Sequence, residues 1–593
     1  MGTFAWAALA LALALVLVGL SVVLYAKLSA RYPRKTRLVR VDLERGGGKE
    51  LFVMVHGGGC GSRIFDDARK VIRATRADAD LMLVNFPPPT SSNADPFEIA
   101  VELSDAINTQ VVGSHYASVT LVCHCMGALL ARKAFVYGCN QADDDPLWNP
   151  EAAEKDWVKR VDRFVLMAGT NRGFYPAPEK MGRIKLLYLK LGKVFNRLTG
   201  TARLLWSCER GQPFVANLRV QWIRTARERK AEGRHWPSVV QLLGTVDDVV
   251  GYEDHKDVTV SQDFIFVPVR GTDHVSILDF RDPAYGGERE MKFRKAIEPG
   301  DLHELRETYP PMPVGQDPDV EQVIFVLHGI RDIGEWIDEL EVSLREAYTR
   351  ANGFGGPARI KIIKSSYGYF AMLPFLLYAD RQRNVRWFMD EYTEVLARYP
   401  NAKQIDFVGH SNGTYVLASA LQRYRTLRVD HVAFAGSVIP RDYDWRSRID
   451  NGQVKAVRNY VGSIDVVVGI FPCFLELCGS RELGSAGFNG FTQQEGKDLE
   501  VKFIPGNHWC GIDPRNYSSI IDFLLRRVTT VAPGYYIKSQ PTWAVLLSRL
   551  CWLVWIGIVL GVLALGWWLG TGPWGWTALA VYIGFLLVIL RTV

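Results

Sequence analysis

The sequence is poor in cysteine and lacks a metal-binding pattern. Its nine cysteines among 593 residues are an odd number without regular spacing, which fits a cytoplasmic body with reduced thiols better than a disulfide framework. The Cys-His-Cys run at residues 123–125 offers metal ligands, but no second cluster of ligands accompanies it. We therefore expect no metal and no cofactor.

Charge is absent from two long stretches, residues 4–26 and 550–590. The remaining 529 residues carry all 133 charged side chains, about a quarter of that part, as in soluble globular domains. This distribution excludes a disordered chain, a polytopic transporter and a purely soluble enzyme. It indicates a large soluble body with hydrophobic ends, long enough for two or more domains.

The first charge-free stretch predicts an N-terminal transmembrane anchor over residues 1–27. A helix over residues 4–26 would be about 34 Å long, enough to cross a bilayer. A cleaved signal peptide is the alternative, but residues 1–3 lack the basic side chains that it requires. Basic residues follow the stretch directly: Lys27, Arg31, Arg34, Lys35, Arg37 and Arg40. The positive-inside rule then places the main body in the cytoplasm, at a bacterial inner membrane or plasma membrane.

The second charge-free stretch predicts a C-terminal transmembrane hairpin over residues 549–591. Its arms are residues 550–569 and the shorter 576–590, separated by a turn that contains Gly and Pro. Arg549 and Arg591 flank the pair, so both outer ends should face the cytoplasm, in agreement with the N-terminal anchor. The expected partner of both ends is the lipid bilayer.

Between these ends, short apolar runs alternate with amphipathic stretches, which predicts an α/β fold with mostly parallel sheets and helices on both faces. One series of motifs occurs twice. In the first half, the apolar run 51–55 ends in His-Gly-Gly-Gly at 56–59, and the run 119–123 leads into Cys-His-Cys-Met-Gly at 123–127.

In the second half, the run 323–327 ends in His-Gly at 328–329, and Phe407-Val408 leads into Gly-His-Ser-Asn-Gly at 409–413. A strand, a sharp G-x-S-x-G turn and a helix form a nucleophile elbow, in which small flanking residues leave the serine hydroxyl exposed at the sheet edge. Both halves resemble the α/β-hydrolase superfamily of esterases and lipases, over roughly residues 50–280 and 320–530.

The resemblance implies a catalytic triad in the second half, since the superfamily orders its residues as nucleophile, acid and histidine. After Ser411, a strand ends in Gly-Ser-Ile-Asp at Asp465, and another strand is followed by a loop with His508. The implied oxyanion loop holds His328 and Gly329. The N–H groups of Ile330 and Asn412 are its expected donors.

In the first half the same order gives Cys125, Asp247 and His274, with Asp248 as a less favoured acid. Dienelactone hydrolases resemble this elbow, because a thiolate paired with histidine is a strong nucleophile. The expected oxyanion residues are Gly57, Gly58 and Met126. Cys123 replaces the first glycine of the elbow, so a degenerate domain that only keeps the fold is the alternative.

A basic insertion distinguishes the first half. Residues 171–237 contain 15 Lys and Arg but four Glu. Within them, apolar side chains recur at helical spacing over 181–198, which predicts an amphipathic helical lid. Such a lid would lie against anionic lipid head groups or present a solvated basic face. No nucleic-acid motif accompanies the charge, so we expect no nucleic-acid partner.

The predicted organisation is a first hydrolase-like domain at 40–282, a linker at 283–320 and a second domain at 321–535. The acidic run at 143–145 is predicted to be a solvated loop. The expected function is hydrolysis of an apolar or lipid-like ester by the Ser411 triad. Acyl transfer by the same triad and a non-catalytic membrane assembly role are the alternatives. The sequence identifies neither the substrate nor a protein partner.

Overall fold

The computed structural model describes most of the chain outside the N-terminal stretch. The described residues are 37–58, 61–88, 92–145, 148–175, 191–193, 195–196, 199, 201–247, 249, 264–300, 302–310, 315–330, 332, 334–352, 359–364, 370–493, 496–525, 536–572 and 575–592. The predicted anchor at 1–27, Gly59, Asp248 and most of the predicted lid helix at 181–198 lie outside them.

The chain divides into two units, Met1–Gly315 and Gln316–Val593. The first unit is built on a seven-stranded sheet in the order β1-β3-β2-β4-β5-β6-β7, in which β1 is antiparallel to β3 and the other neighbours are parallel. Its strands are β1 (Arg40–Glu44), β2 (Glu50–Val55), β3 (Asp80–Asn85), β4 (Ser118–His124), β5 (Val161–Met167), β6 (Ser238–Gly244) and β7 (Phe264–Val269). Its described helices are α1 (Asp66–Thr75), α2 (Pro96–Ser114), α3 (Gly127–Gly138), α4 (Arg203–Ser207), α5 (Pro213–Ala231), α6 (Gly286–Ile297) and α7 (His303–Thr308).

Strand β2 shows why this sheet has helices on both faces. Leu51, Val53 and Val55 belong to one buried core cluster, whereas Phe52 and Met54 belong to another. Successive side chains of a strand point to opposite faces, so a run that is apolar at every position requires a cover on each side. The continuous apolar run read from the sequence is therefore a central strand.

The second unit contains a six-stranded, fully parallel sheet in the order β13-β12-β11-β10-β8-β9. Its strands are β8 (Gln322–Leu327), β9 (Ile360–Lys364), β10 (Gln404–His410), β11 (Val429–Ala435), β12 (Val454–Gly462) and β13 (Leu499–Ile504). Its described helices are α8 (Glu335–Asn352), α9 (Met372–Leu376), α10 (Tyr378–Arg398), α11 (Asn412–Arg423), α12 (Trp445–Asp450), α13 (Val466–Leu477), α14 (Ala486–Asn489), α15 (Pro514–Leu525), α16 (Thr542–Arg549), α17 (Cys551–Thr571) and α18 (Gly575–Thr592). The predicted α/β class with mostly parallel sheets is confirmed.

The two C-terminal apolar helices differ in length of apolar sequence. Among the described residues, α17 is the one helix long and apolar enough to cross a membrane, and its most apolar window is unburied. The apolar part of α18, Gly575–Leu586, is shorter. The two helices pack against each other on either side of the predicted turn. A second membrane crossing by α18 stays a prediction.

The described part of the predicted basic lid is largely interior. Helix α5 packs against α3, and Arg219 and Arg229 on α5 are both buried. Arg229 Nη1 lies 2.8 Å from Glu154 Oε1, so it serves an internal ion pair. The net charge of the insertion therefore overstates its basic surface, because helical spacing alone does not reveal which polar side chains have buried partners.

The acidic run at 143–145 is not a solvated loop. Asp144 is buried, and its Oδ1 lies 2.6 Å from Lys133 Nζ on α3. The same ammonium group donates to Gln221 Oε1 on α5 at 2.7 Å. The run thus joins two helices through a buried charge pair, which an acidic sequence run does not reveal by itself.

Replacement of Lys133 by methionine is expected to destabilise the first unit by about 3–5 kcal/mol, because it leaves the Asp144 carboxylate buried without its cation. Thermal unfolding of the full chain would measure the change. Lys159→Met is the matched control, since its ion pair with Asp156 is exposed and should contribute less than about 1 kcal/mol. Equal shifts in the two variants would contradict the expectation.

Candidate active sites

In the second unit, Ser411 occupies a strained turn between β10 and α11. Its backbone has φ 51° and ψ −115°, a region that non-glycine residues rarely adopt. A Cβ on Gly413 would lie 2.5 Å from the Leu327 carbonyl oxygen, so the elbow can pack against β8 only with glycine there. The geometry is that of a nucleophile elbow, which projects its central side chain from the sheet edge.

Asp465 and His508 meet at the ends of β12 and β13. His508 Nδ1 lies 2.8 Å from Asp465 Oδ2, and the Asp465 side chain is fully buried. The other carboxylate oxygen, Oδ1, accepts a 3.0 Å hydrogen bond from Val468 N and thereby caps α13. Both oxygens are therefore engaged, which holds the carboxylate in one orientation toward the imidazole.

The end of β11 holds Ser411 and His508 next to each other. Ser411 N donates to the Ala435 carbonyl at 3.0 Å. The next residue, Gly436, lies so close to His508 that a Cβ there would be 2.7 Å from the imidazole Cε1. Sequence reasoning did not single out Gly436, although its φ of 54° marks it as a position that favours glycine.

The predicted oxyanion loop of this unit lies against the elbow. A Cβ on Gly329 would be 2.8 Å from Ser411 Cβ and 3.3 Å from its Oγ. His328 Nδ1 lies 2.8 Å from the Gly329 carbonyl oxygen, which fixes the loop. Ile330 is half-buried, and Asn412 is the first residue of α11, directly after Ser411.

The first unit repeats this arrangement around Cys125. Cys125 has φ 54°, and its N–H donates to the Met167 carbonyl at 3.2 Å. A Cβ on Gly127 would lie 2.3 Å from the Val55 carbonyl oxygen, so this elbow also requires glycine two residues after the central residue. The Cys125 turn between β4 and α3 therefore matches the Ser411 turn between β10 and α11.

Asp247 and His274 also meet at strand ends, after β6 and β7. His274 Nδ1 lies 2.9 Å from Asp247 Oδ2, and both residues are buried. Asp247 Oδ1 accepts from Val249 N at 2.9 Å, so this carboxylate too is held at both oxygens. Asp248, the alternative acid, lies outside the described residues.

The model of the alpha/beta hydrolase family matches residues 52–285, which lie within the first unit. A comparison with curated protein sequences finds no match.

Three solved structures similar to this chain are enzymes of low sequence identity. A Paleococcus ferrophilus monoacylglycerol lipase is 16 % identical, with 45 % of this chain and 98 % of that chain covered and a TM-score of 0.28. A structure from a study of carboxylesterases of the Thaumarchaeon Nitrososphaera gargenis is 13 % identical, with 47 % of this chain and 98 % of that chain covered and a TM-score of 0.27. A Pyrobaculum calidifontis esterase is 14 % identical, with 44 % and 80 % covered and a TM-score of 0.29.

The electrostatics of the first unit favour a charged Cys125 thiol. Burial raises the pKa of Cys125, but its interaction with His274 and the backbone N–H groups of Gly58 and Met126 outweighs burial, and the pKa is lowered. Burial lowers the pKa of His274, whereas Asp247 and Cys125 raise it more, to about 10. Between the two pKa values the pair is a thiolate and an imidazolium.

The contacts of the Cys125 thiol agree with the predicted oxyanion loop of the first unit. A Cβ on Gly57 would lie 2.5 Å from Cys125 Cβ, so the loop approaches the thiol directly. His274 Nε2 is buried, makes no close hydrogen bond and faces the Cys125 thiol. By contrast, burial raises the pKa of Cys123, two residues away, which keeps it a neutral thiol.

A histidine directly before each central residue of the elbow was not predicted as a site residue. His124 Nε2 lies 2.8 Å from the His274 carbonyl oxygen, and His410 Nε2 lies 3.2 Å from the His508 carbonyl oxygen. In both units the elbow histidine therefore holds the backbone of the second histidine. The repeated His at positions 124 and 410 was the sequence signal.

Asp332 is a further residue that the sequence did not indicate. It lies 3.8 Å from His410 Nδ1 and accepts hydrogen bonds from Gly334 N and Trp336 Nε1 at 2.8 and 2.9 Å. Burial raises the pKa of Asp332, but His410, Gly334 and Trp336 lower it by more, so that the pKa is about 2. Asp332 is thus an anion behind the elbow histidine at any physiological pH.

Proposed function

We propose that the chain is a membrane-anchored hydrolase with two tandem α/β-hydrolase domains, a serine site in the second unit and a cysteine site in the first. The single observation that supports this best is the repeated Asp–His pair beside a strained elbow. In each pair one carboxylate oxygen holds the imidazole and the other is held by the backbone. Two copies of this geometry at corresponding strand ends favour retained chemistry over a degenerate fold.

In the second unit, Ser411 Oγ attacks the ester carbonyl while His508 Nε2 takes the hydroxyl proton. Asp465 holds Nδ1–H, so Nε2 is free to accept. The tetrahedral oxyanion is stabilised by N–H groups from the loop at 328–330 and from Asn412. The C–O bond to the alcohol then breaks, and His508 returns its proton to that alcohol. Water hydrolyses the acyl-serine by the same steps and yields the carboxylic acid.

In the first unit, the Cys125 thiolate attacks an activated ester or thioester carbonyl directly, since it carries no proton to remove. The His274 imidazolium then donates its proton to the leaving alcohol or thiol. Water, deprotonated by His274, hydrolyses the acyl-cysteine. The N–H groups of Gly58 and Met126 are the proposed oxyanion donors, because they already point at the thiol.

The anchored state is proposed from the charge-free ends. Helix α17 supports a membrane crossing by its length and composition. The proposal places both hydrolase units on the cytoplasmic side of the membrane, because Arg549 and Arg591 flank the C-terminal charge-free stretch. A reporter fused after Val593 should then be cytoplasmic, and a periplasmic or luminal reporter would overturn this orientation.

Labelling of the purified full chain with a fluorophosphonate tests the serine site. We expect one adduct on the peptide that contains Ser411, and no adduct in Ser411→Ala. Ser419→Ala is a matched control, because Ser419 lies on α11, which begins directly after Ser411, and its hydroxyl accepts a hydrogen bond from Gln382. A wild-type chain that does not react, or a Ser411→Ala chain that still does, would refute the serine site.

Alkylation of Cys125 by iodoacetamide is expected to reach its full rate at a lower pH than that of an ordinary thiol. Burial raises the pKa of Cys125, but His274 and the N–H groups of Gly58 and Met126 lower it by more, so a larger fraction of Cys125 is thiolate at any pH below the ordinary thiol pKa of about 8.5. The pH at which the rate is half-maximal should therefore be lower for Cys125 than for an ordinary thiol.

Mass spectrometry of the Cys125 peptide measures this rate, with the exposed Cys478 of the same chain as internal reference. His274→Ala removes the imidazolium and should restore ordinary thiol behaviour at Cys125. A half-maximal rate of Cys125 at the same pH as that of Cys478, or at a higher pH, would contradict the lowered pKa of Cys125.

A further inference from the structure

Helix α13 connects the Ser411 site to the apolar C-terminal helix. It begins directly after Asp465, whose carboxylate caps it at Val468 N while holding His508. The same helix packs against α16 and α17. Asp465, the acid of the proposed triad, therefore caps a helix that also contacts α17, the candidate membrane helix.

The contact between α13 and α17 is aromatic and lies near the start of α17. Trp555 stacks on Phe474 with ring centroids 5.7 Å apart and packs against Phe471 at 5.4 Å. Cys473 Sγ lies 3.8 Å from the Ser548 carbonyl oxygen, in the helix before α17. Because Trp555 is in the second turn of α17, this contact lies at one edge of a hydrocarbon core that α17 would span.

Apolar side chains next to the proposed triad are exposed. Val466 and Val467 follow Asp465, and Trp509 follows His508; all three are well exposed. On α13 the one charged residue is Glu476, whose carboxylate is taken up by Ser485 and the N–H of Arg441. Exposed apolar patches mark binding surfaces, so we expect a partner to cover this charge-free face beside Ser411.

A lipid bilayer is the occupant that these observations favour. Helix α17 has 21 residues, no charge and an unburied apolar surface, so its length of about 31 Å matches a hydrocarbon core. The exposed face of α13 is continuous with that helix through Trp555. Any bilayer that covers α17 must therefore lie beside α13 and the triad.

We propose that the Ser411 site takes its substrate from the bilayer across the exposed start of α13, and that this substrate is a long-chain acyl ester of a membrane lipid. The proposal rests on the serine hydrolase function proposed above. The ester carbonyl would reach Ser411 past Val466, Val467 and Trp509, while the acyl chain keeps contact with the hydrocarbon. A soluble short-chain ester needs no such contact.

The test compares two substrates of the full chain, in a Cys125→Ala background, reconstituted in phosphatidylcholine vesicles. One is a fluorogenic long-chain ester dissolved in the bilayer, and the other is a water-soluble short-chain ester. Val467→Asp is expected to lower the rate on the bilayer ester about tenfold, because an aspartate at the lipid boundary resists insertion. The rate on the soluble ester should change less than about twofold.

Val342→Asp is the matched control. Val342 is 56 % exposed and Val467 is 53 % exposed, but Val342 lies on α8, which packs against α15. The control should leave both rates within about twofold. Equal losses on both substrates in Val467→Asp would overturn the proposal, and so would equal behaviour of the two variants.

Two measurements separate the possible failures. A fluorophore on Val467→Cys should be quenched by spin-labelled phosphatidylcholine, and one on Val342→Cys should not; the reverse result overturns bilayer contact even if a variant is inactive. Self-association through α13 without selectivity for the bilayer ester would assign the face to a second copy and overturn the proposal. If Ser411→Ala in a Cys125→Ala background retains hydrolysis of the soluble ester, the serine site itself has failed.

Discussion

Replacement of Ser411 by alanine should lower kcat for ester hydrolysis by the second unit by about 10⁵–10⁶-fold. Without the hydroxyl, no acyl-serine forms, and only binding and oxyanion stabilisation remain, which are worth about 10³–10⁴ over water. The measurement is made in a Cys125→Ala background, because the first unit carries its own nucleophile. Turnover of a soluble activated ester reports kcat.

Two controls accompany this variant. Ser419→Ala should keep kcat, since its hydroxyl binds Gln382 on a neighbouring helix. Ser411→Gly should be as inactive as Ser411→Ala but more stable by about 1 kcal/mol, because glycine adopts φ 51° and ψ −115° without strain. A loss of kcat smaller than about tenfold would mean that another group is the nucleophile.

Replacement of Asp465 by asparagine should lower kcat by about 10⁴-fold with little change in stability. The N–H of Val468 should donate to the amide oxygen of the new side chain, as it donates to Oδ1 of Asp465 in the wild type. The amide NH₂ then faces His508 Nδ1, which must become an acceptor. The proton moves to Nε2, and His508 can no longer take the proton of Ser411.

Asp444→Asn is the matched control for this substitution. Asp444 also caps a helix, accepting from Ser447 N at 3.1 Å, but it has no histidine partner. Asparagine caps helices as well as aspartate does, so kcat should remain within about twofold of wild type. Comparable losses in the two variants would show that capping, and not the tautomer of His508, explains the effect of Asp465→Asn.

The strands were predictable because their signal is local. The apolar runs at 51–55 and 323–327 coincide with β2 and β8 to within a residue. The helix expected directly after the Ser411 elbow is α11. Every residue of such a run is apolar, which indicates a buried strand, and the glycines of the elbow motifs indicate a sharp turn. Neither prediction requires knowledge of distant contacts.

Other features depended on partners far along the chain. Asp144 was predicted to be solvated, yet it binds Lys133 and Gln221 in the interior. The basic residues of α5 were predicted to form part of a lid, yet Arg219 and Arg229 are buried. Composition counts charges correctly but does not say which of them are paired, since pairing depends on how helices pack.

The sequence by itself determined the α/β class, the strand-end positions of the candidate residues and the charge-free ends. Each of these follows from periodicity, glycine placement or composition within a short window. Only the tertiary structure decided that one carboxylate of Asp465 both holds His508 and caps α13, and that α13 contacts Trp555 of α17. The physical reason is that Asp465 and His508 are 43 residues apart in the sequence and meet because their strands, β12 and β13, pair in the sheet. No local sequence pattern contains that pairing.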